Sequence, residues 1–265
     1  MSFLELTAHM DKHLVVNKLF ILPAGYGMVK AFFFNTDLGF ENPQMIYSPL
    51  NIYLLDTSDG PILIDTGLDE VFLNNPNYYD GTPMEGLLYL YLKEEERIPN
   101  LLKMAGYKPE DIKLVISTHF HCDHSGGHQY FRETPVLVQK DELTIIDDDT
   151  YSPADCRIKN LHYQVIDGDY QLCDNIRLIH TPGHSPGHQS VLINTVNSGY
   201  VLLCIDAALT EGIFRNNLPY AAAVPEQAAA SLKKIQAIAD GYHALPIFGH
   251  DEHQVKTLKT YPEFY

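Results

Sequence analysis

The stretch His119-Phe120-His121-Cys122-Asp123-His124 places three imidazoles and a carboxylate at the end of an apolar run. Side chains alternate between two directions in an extended segment, so His119 and His121 can reach the same metal ion. Asp123 and His124 follow where the chain must turn, and they can reach a second ion nearby. Imidazole and carboxylate groups are good ligands for zinc and similar divalent cations. This spacing therefore predicts a metal site at a strand end.

One loop cannot complete two metal sites, and three further candidate ligands lie elsewhere in the chain. His184, Asp206 and His250 each follow a short apolar run of the kind that forms a buried strand. If those strands are neighbours, their ends meet at one edge, with two metal ions about 3.5–4 Å apart. The sequence predicts one ion on His119, His121 and His184, a second on Asp123, His124 and His250, and Asp206 between them.

Short apolar runs and turn signals predict the fold. Predicted strands are Lys18–Leu22, Asn51–Asp56, Pro61–Ile64, Leu114–Ser117, Val136–Gln139, His162–Ile166, Ile176–His180, Gln189–Ile193, Tyr200–Ile205 and Leu245–Phe248. Predicted helices are Glu94–Ala105, a short one near Asp141–Ile146, and Pro225–Ala239; residues 74–86 and 119–128 are predicted loops, the second with a Gly-Gly turn. Both halves mix strands and helices, which favours an α/β fold, an αββα sandwich, as a single domain over residues 1–265. A doubly wound parallel sheet is the competitor, but the glycine-rich dinucleotide loop is missing.

Composition and charge exclude several classes of partner. The formal net charge of −16 disfavours nucleic acid, and no apolar run reaches the 18 residues that would indicate a membrane span. The start of the sequence does not resemble a signal peptide, so a cytoplasmic location is expected. Four cysteines form no C-x-x-C pair, so we expect reduced, mostly buried thiols.

The metal motif resembles that of the metallo-β-lactamase superfamily, and longer stretches narrow the resemblance to the N-acyl homoserine lactone lactonases, which are quorum-quenching enzymes. The similar stretches are KLFILPAGYGM (18–28), GPILIDTG (60–67), GTPMEG (81–86), EERIPNLLKMAGYKPEDI (95–112), TPGHSPGHQS (181–190), FGHD (248–251) and YPEF (261–264). The resemblance implies a zinc pair, although iron, manganese or cobalt would accept the same ligands. It also implies a small-molecule lactone substrate and a monomer or homodimer.

The resemblance also marks departures near the expected substrate pocket. Where the family has an active-site tyrosine, three residues after the bridging aspartate, this chain has Leu209, and Tyr220 is a possible substitute. Pro83 and Cys122 stand where the family often has phenylalanine. The residues expected to bind substrate are Met28, Tyr79 and Leu209, with Phe32, Phe33, Phe34 and Tyr78 as further candidates for an apolar wall.

The expected chemistry is hydrolysis of a lactone ring, most simply by a hydroxide shared between the two metal ions. Asp206 and Asp123 are the expected catalytic carboxylates, and Asp123 would deliver a proton to the departing alkoxide. Asp65 is a candidate acceptor for the N–H of a ligand imidazole. The alternatives are another carbonyl hydrolase of the same fold, such as a thioesterase of the glyoxalase-II type, another lactonase or a β-lactamase, and a metal-binding protein without catalysis.

Overall fold

The structure, a computed structural model, describes residues 11–148 and 161–265. Its strands are β1 Val16–Lys30, β2 Met45–Thr57, β3 Ile62–Ile64, β4 Leu88–Tyr91, β5 Leu114–Ile116, β6 Pro135–Gln139, β7 His162–Ile166, β8 Tyr170–Cys173, β9 Ile176–His180, β10 Gln189–Thr195, β11 Gly199–Ile205 and β12 Leu245–Phe248. Its α-helices are α1 Ile98–Met104, α2 Cys122–Ser125, α3 Glu211–Asn216 and α4 Pro225–Tyr242. Short 3-10 turns lie between them.

The strands form a mixed sheet whose two ends pack against each other. The hydrogen-bonded order is β12-β11-β10-β1-β2-β3-β5-β6-β7, with β4 beside β1 and β9 between β10 and β8. One buried cluster contains Leu137 of β6 and Ile166 of β7 together with Leu203 of β11 and Ile247 of β12. Residues from opposite ends of the sheet share this cluster, so the sheet folds over a common apolar core.

Helices cover the two outer faces. Ala228, Leu232 and Ile235 on one side of α4 pack against Leu192 and Leu202 of the sheet. On the opposite face, Ile98, Leu101 and Leu102 of α1 pack against strand residues that include Leu54 and Val115. The predicted αββα sandwich is therefore confirmed, and the doubly wound alternative is wrong because the two sheet halves pack face to face.

The strand β1 is the central element that joins the two halves. It pairs with β2 along most of its length, with β10 at Val16 and with β4 near Met28. The register with β2 shifts between Pro23 and Tyr26, which marks a bulge. The backbone of Tyr265 exchanges two hydrogen bonds with Leu19, so the segment near Tyr265 also lies along β1.

Most predicted strands are confirmed, and the errors concern the helices and loops between them. The predicted helix Glu94–Ala105 is wrong at its start: a 3-10 turn ends at Glu96, Arg97 is extended, and α1 follows. Pro99 explains the break, since its ring would clash with the carbonyl of residue 95 in a continuous helix. The predicted loop 119–128 is wrong in part, because it contains α2; the predicted Gly-Gly turn is confirmed at Gly126 and Gly127, between α2 and a 3-10 helix from His128 to Phe131. The sequence pattern did not predict β4, β8, α2 or α3.

The described cysteines and helices agree with the expectations from composition. Cys122, Cys173 and Cys204 are free and buried, whereas Cys156 lies outside the described residues. Within the described ranges, no helix has the length and apolar composition needed to cross a membrane.

His128 provides a test of how this core responds to acid. Its side chain is 1% exposed, its Nε2 is without a hydrogen-bond partner among the described residues, and burial lowers its pKa to about 4. The unfolded chain takes up a proton near pH 6.5, so His128 destabilises the fold as pH falls from 6.5 to 4, by roughly 3 kcal/mol in total. We expect His128→Phe to remove about one proton from the pH dependence of unfolding in urea. The same change at the exposed His162 is the control, and an unaltered slope in His128→Phe would contradict this assignment.

Candidate metal centre

The ends of four strands bring the predicted ligands to one rim of the sandwich. The loop after β5 carries His119, and the loop between β9 and β10 carries His184. Asp206 directly follows β11, and His250 lies two residues after β12, the parallel neighbour of β11. A Cβ on Gly249 would lie 2.7 Å from Asp206 Oδ1, so glycine is required for this close approach. The structure thus brings all seven predicted ligands together in two adjoining groups.

The three-histidine group consists of His119, His121, His184 and one oxygen of Asp206. His121 Nδ1 lies 3.0 Å from His119 Nε2 and 2.9 Å from His184 Nε2. Asp206 Oδ2 lies 3.1 Å from His184 Nε2 and 3.9 Å from His119 Nε2. Ligand atoms around a tetrahedral zinc ion are roughly 3.3 Å apart, given metal–nitrogen bonds of about 2.0–2.1 Å. The spacing of this group brackets that value.

The Asp123 group consists of Asp123, His124 and His250. Asp123 Oδ2 lies 3.5 Å from His124 Nε2 and 3.7 Å from His250 Nε2. Asp206 Oδ1 lies 3.5 Å and 3.2 Å from the same two nitrogens. Oδ2 also lies 3.2 Å from His250 Nε2, so the carboxylate of Asp206 stands between the two groups, as expected of a carboxylate shared by two cations.

Unpartnered polar atoms indicate that this rim fits a pair of cations. His124 Nε2 and Asp206 Oδ1 are buried without a hydrogen-bond partner among the described residues. Leaving such atoms unpaired costs about 1–3 kcal/mol each, and a ligated cation would remove that cost. The donor set, five imidazoles and two carboxylates, is also the chemistry that zinc and similar ions prefer.

The protonation states of His119, His121 and Asp206 favour metal binding by the three-histidine group. Burial, together with the neighbouring histidines, lowers the pKa of both His119 and His121 well below the usual value. Burial alone would raise the pKa of Asp206, but His250, His124 and His184 hold it well below its usual range. At neutral pH these groups are neutral imidazoles and a carboxylate, the forms that bind cations.

Asp65 orients the Asp123 group, as predicted. It is fully buried, has a positive φ of 61°, and accepts a hydrogen bond of 2.8 Å from His124 Nδ1. The backbone N–H and the hydroxyl of Thr118 also donate to its two oxygens. Burial lowers the pKa of His124, but Asp123, Asp206 and Asp65 together raise it to about 10. A cation bound here would replace that proton.

His188 holds the backbone of Asp206. The N–H of Asp206 donates to His188 Nε2 over 3.1 Å, so Nδ1 carries the proton and faces Thr181. By contrast, His180 lies at the end of β9, away from the two groups.

An apolar cavity of about 150 Å³ lies directly over the two groups. Tyr79 and Leu209 line it, as predicted, but Met28 does not, and its neighbour Val29 does. Phe33, Phe34, Leu50, Met84, Leu88, Leu90 and Cys122 complete most of the apolar wall. The lining does not include Phe32, Tyr78 or Pro83. The hydroxyl of Tyr220 donates a hydrogen bond to the carbonyl of Ala207.

The comparisons with known proteins point to one family. A profile of the metallo-beta-lactamase superfamily matches residues 48–250. An N-acyl homoserine lactonase from a Bacillus species is 40% identical over 251 residues, 95% of this chain and 100% of that protein. The lactonase AttM of Rhizobium radiobacter is 29% identical over 233 residues, 82% of this chain and 87% of that protein. A crystal structure of an N-acyl homoserine lactone hydrolase, with the product N-hexanoyl-L-homoserine bound at the catalytic metal center, has a TM-score of 0.91 at 39% identity and covers 95% of this chain and 100% of its own.

Proposed function

Because the chain belongs to the metallo-beta-lactamase superfamily, and within it to the N-acyl homoserine lactonases, we propose that it opens the lactone ring of N-acyl homoserine lactones with two divalent metal ions. The observation that carries the proposal is the carboxylate of Asp206, which lies between the two ligand groups, 3.1 Å from His184 Nε2 and 3.2 Å from His250 Nε2. Bound there, the cations would polarise the lactone carbonyl and make water nucleophilic near neutral pH.

The side chains of the rim would bind and position the two cations. His119, His121 and His184 would hold one cation, and Asp123, His124 and His250 would hold the other. Asp123 is the ligand carboxylate that remains partly exposed, with 16% of its side chain accessible, and it lines the cavity. We assign to Asp123 the transfer of a proton from the attacking water to the alkoxide oxygen of the opened ring, which needs a carboxylate within hydrogen-bond reach.

The apolar wall of the cavity would contact the acyl chain of the substrate. Aliphatic and aromatic side chains dominate the lining, and the hydroxyl of Tyr79 forms a hydrogen bond with the thiol of Cys122. An acyl chain placed against this wall loses contact with water, which favours binding by roughly 25 cal/mol for each Å² buried. We therefore assign substrate contact to Tyr79 and Leu209, and to Val29 in place of Met28.

A substrate panel on protein of measured metal content tests this function. We expect hydrolysis of N-acyl homoserine lactones to exceed that of thioesters and β-lactams, and to depend on bound metal. Preferential turnover of a thioester would favour the glyoxalase-II-type alternative. Two bound metal ions without turnover of any of these substrates would favour a non-catalytic protein.

Leu209 allows a test of the missing phenol. Its side chain is buried and lines the cavity beside Asp206, but it offers no hydrogen-bond donor. We expect Leu209→Tyr to raise kcat/KM for lactones by up to about tenfold, because one new hydrogen bond to the reacting oxygens contributes about 1 kcal/mol. Leu209→Phe is the matched control, since it adds the ring without the hydroxyl. Equal activities of the two variants would show that the hydroxyl has no role.

Zinc is our proposal for both sites, based on the imidazole-rich donor set and the tetrahedral spacing of the three-histidine group. Metal analysis of protein purified without added metal tests it. The cytoplasmic location, the single domain and the monomeric or dimeric state stay predictions from the sequence.

A further inference from the structure

Glu142 is a fully buried carboxylate that is not part of the ligand set. It lies in the 3-10 helix Lys140–Ile145, directly after β6, and its side chain reaches the rim from below the metal ligands. Burying a carboxylate costs several kcal/mol unless it is hydrogen-bonded, so its partners are informative.

Within residues 11–148 and 161–265, the three hydrogen-bond donors to the Glu142 carboxylate lie on loops that carry metal ligands. The backbone N–H of Phe120, between His119 and His121, donates to Oε1 over 2.7 Å. The hydroxyl of Ser185, next to His184, donates to Oε2 over 2.7 Å, and the N–H of Gly187 donates to the same oxygen over 2.8 Å. One carboxylate therefore joins the loop after β5 to the loop between β9 and β10.

The packing around Gly187 shows that this contact is built into the fold. A Cβ on Gly187 would lie 2.3 Å from the backbone nitrogen of Glu142 and 2.7 Å from its Cβ. Only glycine lets the second loop approach closely enough for its N–H to reach the carboxylate.

The Asp123 group has supports other than Glu142, and one of them, Asp65, also reaches the three-histidine group through Thr118, whose hydroxyl lies 3.1 Å from His119 Nδ1. The Asp123 group is held by Asp65, which accepts from His124, and by the carbonyl of Pro49, which faces His250 Nδ1 over 3.0 Å. Glu142 contacts none of these residues in the described structure, and its bonds go to the neighbours of His119, His121 and His184.

We propose that Glu142 is a positioning residue that sets the spacing of the three-histidine group by fixing its two loops to each other. The proposal rests on the metal centre of the proposed function. It adds that the Asp123 group keeps its direct support from Asp65 when Glu142 is changed, so that a change at Glu142 weakens mainly the three-histidine site.

The test is metal binding by Glu142→Gln, with Co²⁺ as the probe in competition with a chelator. An amide has one acceptor oxygen, so its NH₂ group must face at least one of the three donors. We expect one of the two dissociation constants to rise about 10–100-fold while the other stays within about threefold of wild type. Asp141→Asn is the matched control, because it makes the same change on an exposed side chain of the same helix.

A thermal measurement separates positioning from general stabilisation. If Glu142 only supports the fold, Glu142→Gln lowers the Tm of the metal-free and metal-loaded proteins equally. If it positions ligands, the rise in Tm on adding Co²⁺ becomes smaller by roughly 3–10 °C than in wild type. Equal metal-induced shifts in wild type and variant would overturn the proposal.

The outcomes also separate this proposal from the proposed function. Wild-type protein that binds no Co²⁺ would refute the metal centre itself. Wild type that binds two ions, with unchanged dissociation constants in Glu142→Gln, would refute only the role of Glu142. If Glu142→Gln does not fold, Ser185→Ala removes a single donor from the same carboxylate, and the same site-selective weakening is expected with a smaller magnitude.

Discussion

Asp206→Ala is expected to abolish lactone hydrolysis and to release at least one of the two metal ions. The carboxylate lies between both ligand groups, with oxygens 3.1 Å from His184 Nε2 and 3.2 Å from His250 Nε2. Even one lost hydrogen-bond donor to a reacting oxygen costs about 10²–10³-fold in rate, so loss of a metal should cost more than about 10³-fold. The measurements are kcat/KM and metal content by elemental analysis.

His119→Ala should give the same two losses, because its fully buried imidazole has no nearby substitute among the described residues. Asp167→Ala, which removes an exposed carboxylate from the pair with Lys140, is the control and should keep full activity. Full hydrolysis by a metal-free variant would end the metal-dependent mechanism.

Asp65→Ala is expected to produce the second-largest effect, on stability as well as on metal binding. It leaves three buried donors without an acceptor: the N–H and hydroxyl of Thr118, and Nδ1 of His124. Removing one partner of a buried charged pair costs about 3–5 kcal/mol in unfolding free energy. We expect a loss of that size in urea unfolding of the metal-free protein. We also expect the Asp123 group to bind its metal ion about 10–100-fold more weakly, which is the usual effect of removing such a support.

Asp65→Asn separates the two effects. Asparagine tolerates the positive φ of 61° at this position better than alanine does, and its oxygen can still accept from Thr118. Its NH₂ group would face His124 Nδ1–H, so metal binding should weaken with a smaller loss of stability. The exposed Asp59, changed in the same way, is the control, and wild-type metal affinity in Asp65→Asn would contradict a role for the charge.

The ligand positions were predictable because each follows a recognisable apolar strand. Residues after neighbouring strands must lie at one edge of a sheet, whatever the details of the loops. The same reasoning located the αββα layers, since the predicted strands Ile176–His180 and Leu245–Phe248 match β9 and β12 of the structure.

Residues whose positions depend on remote contacts were not predictable. Glu142 resembles an ordinary polar residue of a short helix, and its burial follows from two loops that are distant in sequence. Val29 lines the cavity in place of the predicted Met28 for a local reason. The bulge between Pro23 and Tyr26 changes which side chains of β1 face the cavity. The strand β4 was missed because Leu88–Tyr91 lacks an alternating pattern and forms its ladder with the far end of β1.

The pairing of β1 has a consequence for how the chain matures on the ribosome. Leu19 is synthesised before Tyr265, whose backbone completes its hydrogen bonds, and the Asp123 group likewise waits for His250. Until those later segments are made, a nascent chain carries an open strand edge and an incomplete cation site. Binding of the second cation should therefore follow synthesis of the segment that carries His250.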